Sequence, residues 1–246
     1  MVYLTGFHAI EEKIKAGGAM VSLLVAKANP RTRELLDLAK AHKVRVERAG
    51  AFDLDRLAPG NRGVALCVNE ESNPFDKNVV LEEFIAGIIE ENRADVLVAV
   101  LDEITDPHNY GAILRSCDQF GVDLTLTRNR RIAKHAGIIS KTSAGASAWT
   151  PVAEVANLPR AVEDLKHADF WIYGADMGGE AVYNTELSGR VAVILGGEGS
   201  GISRLLRSHC DALVAIPSRG RVDSLNVSVA AGVLFYEAMR QRNFRQ

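Results

Sequence analysis

Cysteine is scarce in this 246-residue sequence, and the three that occur, Cys67, Cys117 and Cys210, lie far apart. None of them forms a C-x-x-C pair, and each sits within an apolar or helical pattern. An odd and scattered set of this kind excludes a disulfide framework and is typical of reduced core thiols in a cytosolic protein. The six histidines do not cluster at metal-ligand spacing either, so the sequence predicts no metal site.

Long apolar runs are missing as well. No stretch approaches the roughly 18 apolar residues that a membrane span needs. The N-terminal MVYLTGFHAIEEKIKAGG carries acids and lysines where a secretory signal needs an uninterrupted apolar core. These absences predict a cytoplasmic protein. The net charge of -2 argues against a uniformly basic surface, although local basic patches can still bind phosphate.

The apolar content, at 47% of residues, is sufficient for a proper hydrophobic core. A chain of 246 residues fits one large domain or two modest ones. The segment NEESNPFDKN, residues 69–78, is polar, contains proline and has no periodicity, which indicates a domain boundary. We therefore expect a first domain over residues 1–69, a linker over 70–78 and a second domain over 79–246.

The first domain has the pattern of a small α/β unit. Helices are predicted at residues 9–16, where Gly17 and Gly18 follow, and at 30–42, where Pro30 suits a first helical turn. Strands are predicted at 21–26, 44–48 and 64–68. The intervening DLDRLAPGNRG, residues 53–63, is predicted as a turn-rich segment.

Strand and helix patterns alternate through the second domain. Apolar residues recur with helical spacing over 81–89, and a buried strand follows at 96–101. Further strands are predicted at 122–126, 170–173, 191–195 and 212–216, and further helices after residue 107, at 158–167, at 205–209 and at the end. This alternation predicts an α/β fold with a parallel sheet covered by helices.

A glycine-rich loop, GGEGSG at residues 196–201, follows one of these strands, and Pro217 ends the next. Ligands of open α/β sheets bind beyond the carboxyl ends of strands, so bare backbone here favours a cofactor site. A dinucleotide fingerprint fails because Ile202 replaces the third glycine, and the lysine of a P-loop is missing. Glu198 would oppose a phosphate and suits a cationic or hydroxyl-rich ligand better.

Two polar residues follow the strand at 96–101, at the same predicted edge of the sheet. Asn109 lies near the start of the next helix, and Arg115 lies about two turns further on. Taken alone, Asn109 is more simply interpreted as a helix cap and Arg115 as a surface charge, because short motifs often match by chance.

The last helix begins with a third group of polar residues. Asp223 or Ser224 is expected to cap it, and the free N–H groups around Ser224, Leu225 and Asn226 make a ready polar site. A small-residue face follows, on which another backbone could pack closely; it comprises Ser228, Ala231 and Gly232.

Together these segments match a known family. D-P-H-N-Y-G-A-I-L-R-S, I-L-G-G-E-G-S-G-I and I-P-S-R-G-R-V-D-S-L-N-V-S-V-A-A-G occur in this order within residues 97–242. In this the chain resembles the SpoU (TrmH-like) RNA ribose 2′-O-methyltransferases of the SPOUT superfamily. The first domain, with G-F-H-A-I and D-R-L-A-P-G, resembles the substrate-binding domain of bacterial members that methylate a guanosine ribose of 23S rRNA. One departure is Asn61-Arg62, where close relatives tend to carry His-Gln.

The resemblance implies a cofactor, a topology and an oligomeric state. Such enzymes bind S-adenosylmethionine in a deep trefoil knot and form homodimers through the knotted region. The cofactor-binding positions that carry over are Gly196, Ile216, Leu225, Ala175, Ser224 and Asn226. The catalytic positions are Arg115, Asn109 and Glu198. Because a guanidinium is almost always protonated, we expect Arg115 to position and stabilise the attacking 2′-oxygen rather than to remove its proton.

Binding of RNA requires local positive charge. A patch beyond the strand at 122–126 is supplied by Arg128, Arg130, Arg131 and Lys134 together with Lys141. Two further cations, Arg219 and Arg221, lie between the second and third motifs. Such residues grip phosphates without reading sequence, so base choice is expected to come from the first domain.

Three alternatives stay open at this point. The same chemistry could act on tRNA or on another rRNA ribose, which the sequence does not distinguish. A non-catalytic RNA-binding protein of the same fold would not need Asn109, Arg115 and Glu198. A nucleotide-dependent oxidoreductase fits less well, because no ribose-binding acid follows a second strand.

Overall fold

The computed structural model describes residues 2–17, 20–27, 29–58, 61–68, 79–128, 135–221 and 224–242. The elements in chain order are β1 (Val2–Thr5), α1 (Phe7–Ala16), β2 (Met20–Val25), α2 (Pro30–Ala41), β3 (Val46–Arg48), α3 (Ala51–Leu57), β4 (Val64–Val68), α4 (Leu81–Glu90), β5 (Val96–Asp102), α5 (Pro107–Gln119), β6 (Leu124–Thr127), α6 (Ala136–Thr142), β7 (Val152–Glu154), α7 (Leu158–His167), β8 (Trp171–Ala181), β9 (Arg190–Gly196), α8 (Arg204–His209), β10 (Ala212–Ala215) and α9 (Val227–Gln241).

The chain divides into two compact units. The first comprises Met1–Asp76 and Ile132–Trp149, and the second comprises Lys77–Arg131 and Thr150–Gln246. This division differs from the expected boundaries in one respect, because residues 132–149 belong to the first unit rather than to the second domain. The expected linker, residues 70–78, lies outside the described residues.

The first unit is built on a four-stranded sheet with the order β1-β4-β2-β3. β4 runs antiparallel to β1 and β2, while β3 is parallel to β2. Apolar residues of α1 and α2, including Ile10, Ile14 and Leu35, form one core with the sheet. A second, smaller core joins α3 to the sheet through Leu54, Ala58, Leu24 and Ala65.

Helices at 9–16 and 30–42 and strands at 21–26, 44–48 and 64–68 are confirmed, with ends shifted by one or two residues. The prediction of a turn-rich segment over residues 53–63 was wrong for residues 53–57, because residues 51–57 form α3, whereas residues 61–63 are in neither helix nor strand. Within α3 only Leu54 is buried, so the helix has no apolar stripe for a periodicity argument to detect. The four-residue strand β1 was not predicted.

The segment 135–149 adds α6 and a 3₁₀ turn, Ala146–Ala148, to the first unit. Gly145 adopts a left-handed conformation with φ of 98°. A Cβ at this position would lie 3.0 Å from Cα of Ala9, so the close packing of this turn on α1 depends on glycine. The aromatic rings of His8 and Trp149 pack edge to face, with their centroids 6.4 Å apart.

The second unit contains a six-stranded, entirely parallel sheet with the order β10-β8-β9-β5-β6-β7. One buried core of this unit joins the strands to α4, α7 and α8, and α5 and α9 also bury apolar residues. The predicted α/β fold with a parallel sheet is therefore confirmed. The short strand β7 was not predicted, and β8 extends well beyond the predicted 170–173.

An interruption in the pairing of β8 with β10 explains that extra length. Gly174 pairs with Leu213, but the next residue of β10, Val214, pairs with Glu180. Residues 175–179 are consequently looped out of the ladder at the carboxyl edge of the sheet. A Cβ on Gly179 would lie 2.5 Å from backbone atoms of Leu213 and Val214, so the chain returns there with no room for a side chain.

The central pair of strands, β5 and β9, is in register over its full length, from Val96 opposite Arg190 to Asp102 opposite Gly196. Both strands therefore end at the same level. A Cβ on Gly196 would lie 2.0 Å from the carbonyl carbon of Gly201 and 2.2 Å from the amide nitrogen of Ile202. The glycine loop folds back directly over the end of β9.

All three cysteines are free thiols; Cys67 and Cys117 are buried and Cys210 is partly buried. Among the described helices, none combines the length and the apolar content that crossing a membrane requires.

We expect Cys210 to react slowly with iodoacetamide in the folded protein. Burial raises the pKa of its thiol to about 11, whereas a free cysteine has a pKa of about 8.5. Because the thiolate is the nucleophile, labelling at pH 8 should be roughly 200-fold slower than for a free cysteine. Mass spectrometry of the labelled peptides measures the rate, and the chain in urea serves as the reactive control. Labelling of the folded protein at the rate of free cysteine would contradict the expectation.

Candidate active site

The site begins where α5 starts, just beyond the carboxyl end of β5. Asp106 is the N-cap of α5, and its carboxylate accepts hydrogen bonds from the backbone N–H groups of His108 at 3.1 Å and Asn109 at 3.4 Å. Pro107 occupies the first turn, where its missing N–H costs nothing. The interpretation of Asn109 as the cap was therefore wrong, and its side chain is free for another role.

Asn109, Glu198 and Asn226 form one hydrogen-bonded cluster. Nδ2 of Asn109 donates to Oε1 of Glu198 at 2.6 Å, and Nδ2 of Asn226 donates to the same oxygen at 3.2 Å. Nδ2 of Asn226 also donates to Oδ1 of Asn109 at 2.9 Å. Each residue comes from a different one of the three segments singled out in the sequence. The backbone thus brings together three polar side chains that are far apart in the chain.

The orientation of Asn226 is fixed by the helix that follows it. Its Oδ1 accepts from the backbone N–H of Ser228 at 2.9 Å and from the Ser228 hydroxyl at 2.6 Å. Asn226 is thus the N-cap of α9, which corrects the expected cap at Ser224; the alternative, Asp223, lies outside the described residues. With its oxygen committed to the helix, the amide nitrogen is directed to the cluster.

Asp102 is a site residue that the sequence argument missed. It is the last residue of β5, is buried, and accepts a hydrogen bond from the backbone N–H of Ser203 at 2.7 Å. This bond ties the far end of the glycine loop to the central strand. The signal that could have identified Asp102 is its place directly after the predicted apolar strand, residues 96–101, at the edge where ligands bind.

A cavity of about 820 Å³ opens beside the cluster. It is lined by residues from the ends of β5 and β9, the start of α5 and nearby segments, including Asp102, Glu103, Asp106, Asn109, Arg128, Leu158, Glu198 and Ser200. Four of these side chains are carboxylates and one is a cation. The cavity therefore suits a ligand that donates hydrogen bonds or carries positive charge better than it suits a free phosphate.

The predicted cofactor-binding residues lie to one side of this cavity. Ala175, Gly196 and Ile216 lie at the carboxyl edge of the neighbouring strands β8, β9 and β10, and all three are partly buried. Ser224 and Leu225 are exposed just before α9. None of these five residues lines the cavity, whereas Asn226 reaches the cluster at its edge.

Arg115 is not brought to the cluster. It lies six residues beyond Asn109 on α5, a rotation of about 240° around the helix axis, and it is exposed to solvent. Arg128 is exposed and lines the cavity, while Arg219 and Arg221 are exposed in a segment without helix or strand. Arg130, Arg131 and Lys134 lie outside the described residues.

Comparison with known proteins identifies the class to which this fold and site belong. Residues 96–236 match the model of the SpoU rRNA Methylase family, and residues 3–74 match that of the RNA 2′-O ribose methyltransferase substrate-binding domain. The first match contains the whole Asn109–Glu198–Asn226 cluster. The chain belongs to the SpoU rRNA methylase family.

Particular relatives are similar over nearly their full length. The chain is 38% identical to the 23S rRNA (guanosine-2′-O-)-methyltransferase RlmB of Neisseria meningitidis, over 96% of this chain and 94% of that protein. It is 35% identical to an uncharacterized tRNA/rRNA methyltransferase of Borreliella burgdorferi, over 91% of this chain and 99% of that protein. The fold is similar to that of the SpoU methyltransferase AviRb from Streptomyces viridochromogenes in complex with AdoMet, with a TM-score of 0.77 at 24% identity, covering 99% of this chain and 91% of that one.

Proposed function

We propose that this protein transfers a methyl group from S-adenosylmethionine to the 2′-hydroxyl of a guanosine ribose in 23S rRNA. The observation that carries the proposal is the hydrogen-bonded cluster of Asn109, Glu198 and Asn226 at the wall of a large cavity. The RNA and the guanosine come from the names of relatives such as RlmB of N. meningitidis, which this chain matches over nearly its full length. The substrate-binding match over residues 3–74 supports RNA binding by the first domain, residues 1–69. The SpoU match over 96–236 supports catalysis by the second, residues 79–246.

The residues at the carboxyl edge of β8, β9 and β10 fit a cofactor of this kind. Ala175, Gly196 and Ile216 offer partly buried backbone at three neighbouring strand ends, and backbone amide and carbonyl groups can bind the edge of an adenine. S-adenosylmethionine supplies a methyl group activated by a positively charged sulfonium. We assign Ala175, Gly196, Ile216, Ser224, Leu225 and Asn226 to its binding.

Glu198 is the charged member of the cluster. Two amide groups donate to the same carboxylate oxygen and hold the side chain in place, although the residue itself is exposed. A carboxylate held in this way balances a positive charge beside it. Glu198 therefore stabilises the positively charged sulfonium of the cofactor, and Asn109 and Asn226 keep the Glu198 carboxylate in position.

The cavity is the place for the ribose and base of the target nucleotide, because it adjoins the cluster and has the volume of a ligand pocket. Arg128 at its wall, and Arg219 and Arg221 in the segment after β10, are proposed to bind the neighbouring phosphates. The same role is proposed for Arg130 and Arg131.

The close backbone approaches in the second unit support a knotted topology. At Gly179 and Gly196 the chain passes another segment of backbone with no space for a Cβ atom. We propose that the chain is threaded here as a trefoil knot, which keeps the cofactor-binding strand ends tightly packed.

A homodimer through α9 is also proposed. The predicted small-residue face does not serve this purpose, because Ala231 is buried and Gly232 packs on Ser116 of α5. The exposed surface of α9 is an apolar stripe with helical spacing, formed by Val229, Val233 and Tyr236, and the exposed Leu225 precedes it in the chain. The neighbouring helix α5 contacts α9 through Ser116 and Phe120 and carries the exposed Arg115. We propose that a second copy seated on this stripe reaches Arg115 as well.

The experiment that tests the function is transfer of labelled methyl from S-adenosylmethionine to naked 23S rRNA and to total tRNA, with mapping of the modified ribose. Label on one guanosine ribose of 23S rRNA is the expected result. Label on tRNA alone would identify tRNA as the substrate of the same methyl-transfer reaction. No transfer to either RNA, or to ribosomal precursors, would contradict methyltransferase activity.

Asn226→Asp is expected to lower methyl transfer by about 10- to 100-fold, since a hydrogen bond to a charged group contributes about 1.5–3 kcal/mol. Aspartate keeps the oxygen that caps α9 but loses the donor to Asn109 and Glu198 and adds a second carboxylate. The rate is measured at saturating substrates. Asn157→Asp, the same change at the N-cap of α7, is the matched control. Equal rates in the two variants would remove Asn226 from the site.

A further inference from the structure

One edge of the sheet in the first unit carries a group of cations. Val25, near the end of β2, pairs with Arg48 of β3 on one side and with Val64 of β4 on the other. Lys27 lies two residues beyond Val25, and Arg62 lies two residues before Val64. The backbone N–H of Ala26 donates to the carbonyl of Gly63 at 2.9 Å, which holds these two segments together. Lys27, Arg48 and Arg62 consequently share one edge of three neighbouring strands.

The helix α3 starts from the same edge and presents an aromatic ring there. Phe52 is 80% exposed, more than any other large apolar residue among those described. Leu54 is the residue with which α3 packs on the sheet. Phe52 and Arg56, one turn apart, therefore lie on the opposite, solvent side of the helix. The ring is carried on a packed helix and not on a loop tip, so the backbone that bears it is held in place.

Within the part of the chain that the structure describes, no protein group neutralises the charges at this edge. No ion pair or side-chain hydrogen bond involves Lys27, Arg48, Arg56 or Arg62 among the described residues, whereas Arg45 nearby is paired with Glu47 at 3.0 Å. Of the two carboxylates on α3, Asp55 already accepts a hydrogen bond from Asn61 at 2.6 Å. Four exposed cations therefore lie on the strand ends and on the helix that carries one exposed ring.

We propose that this surface, formed by Lys27, Arg48, Phe52, Arg56 and Arg62 and called here the Phe52 surface, binds a single-stranded segment of the RNA substrate. One base stacks on the ring of Phe52, and the flanking phosphates bind the lysine and the arginines. Proteins that hold single strands combine an aromatic platform with a cationic groove in this way. The inference rests on the proposed function, because it assigns a contact surface to the RNA that the second unit methylates.

Binding of RNA is the direct test, because it does not depend on methyl transfer. The full-length chain is titrated into a fluorescein-labelled 12-nucleotide oligo(A), and Phe52→Ala is expected to weaken binding by about 5- to 100-fold, since stacking of one base contributes about 1–3 kcal/mol. Phe52→Leu is expected to be nearly as weak, since it keeps an apolar side chain but removes the ring. For Arg62→Ala, the slope of the logarithm of the binding constant against the logarithm of salt concentration is expected to be shallower by about 0.7.

Tyr183→Ala, at an aromatic residue that is 66% exposed in the second unit, is the matched control and should bind as the wild type does. The proposal is overturned if Phe52→Ala or Phe52→Leu binds oligo(A) like the wild type. It is also overturned if Tyr183→Ala weakens oligo(A) binding as much as Phe52→Ala does. Loss of binding to phosphatidylserine vesicles in Phe52→Ala, with RNA binding unchanged, would overturn it in favour of a membrane contact.

Methyl transfer by the same variants separates this inference from the proposed function. If the wild type methylates no RNA but Phe52→Ala still weakens oligo(A) binding, the Phe52 surface stands and the proposed function fails. If the wild type methylates rRNA while Phe52→Ala has an unchanged KM for RNA and unchanged oligo(A) binding, the function stands and the Phe52 surface fails.

Discussion

Arg115→Ala is expected to reduce methyl transfer by about 100- to 1,000-fold while binding of S-adenosylmethionine stays within twofold of the wild type. Removal of one group that stabilises a developing negative charge typically has an effect of this size. The Arg115 side chain is exposed, so its loss should not disturb the fold. Single-turnover transfer and calorimetric titration of the cofactor measure the two quantities.

Arg160→Ala on α7 is the matched control, because Arg160 is also an exposed helical arginine, with only a 4.0 Å ion pair to Asp164. Arg115→Lys keeps the charge but loses the planar fork, and we expect intermediate activity. A turnover of Arg115→Ala close to that of Arg160→Ala would remove Arg115 from the mechanism.

Mixing two variants of low activity tests why Arg115 lies away from the cluster within one chain. If Arg115 acts on the site of the other copy, a random mixture of Arg115→Ala and Asn226→Asp should recover about a quarter of wild-type activity, because half of the dimers then contain one intact site. If each chain completes its own site, the mixture should stay as inactive as its components, which would contradict the proposed role of the dimer.

Gly196→Ala is expected to abolish soluble folded protein. The new Cβ would lie 2.0 Å from the carbonyl carbon of Gly201, and both partners are backbone, so no side chain can move aside. Overpacking of a side-chain core costs about 1–3 kcal/mol, and a clash between two backbone segments should exceed that range. Urea denaturation and the yield of soluble protein measure the effect.

Gly87→Ala on α4 is the control, since a Cβ there meets no atom within 4 Å. It is expected to be neutral or to stabilise the fold by about 0.5–1 kcal/mol, because alanine favours a helix over glycine. A free energy of unfolding of Gly196→Ala within 1 kcal/mol of that of this control would show that the glycine loop can relax around the added methyl group.

The sequence predicted the elements whose residues carry a strong local pattern. The buried strands β5 and β9 and the amphipathic helices α2 and α7 were placed within a residue or two of their bounds. The helix α3 buries a single residue between its ends, and β7 has only three residues, so neither has a period to detect. The assignment of residues 132–149 to the first unit depends on close contacts such as Gly145 on Ala9, which no local pattern encodes.

The candidate site was predicted mainly by resemblance to a family. Local reasoning alone favoured a capping role for Asn109, whereas the structure gives that role to Asp106. The partners of Asn109 lie 89 and 117 residues away in the chain, and only the tertiary fold brings them within hydrogen-bonding distance. The proposed knot is likewise beyond any argument from periodicity, because folds almost never contain one.

The register of the central sheet has a consequence for synthesis of the protein. The strand β5 lies at the middle of the sheet, but its partner β9 follows 94 residues later, since Val96 pairs with Arg190. At about 5–20 residues per second, a translating ribosome needs roughly 5–20 s to produce that partner. During this interval a strand that is apolar up to Asp102 has one unpaired edge, so the nascent chain should recruit chaperones until translation has passed Gly196.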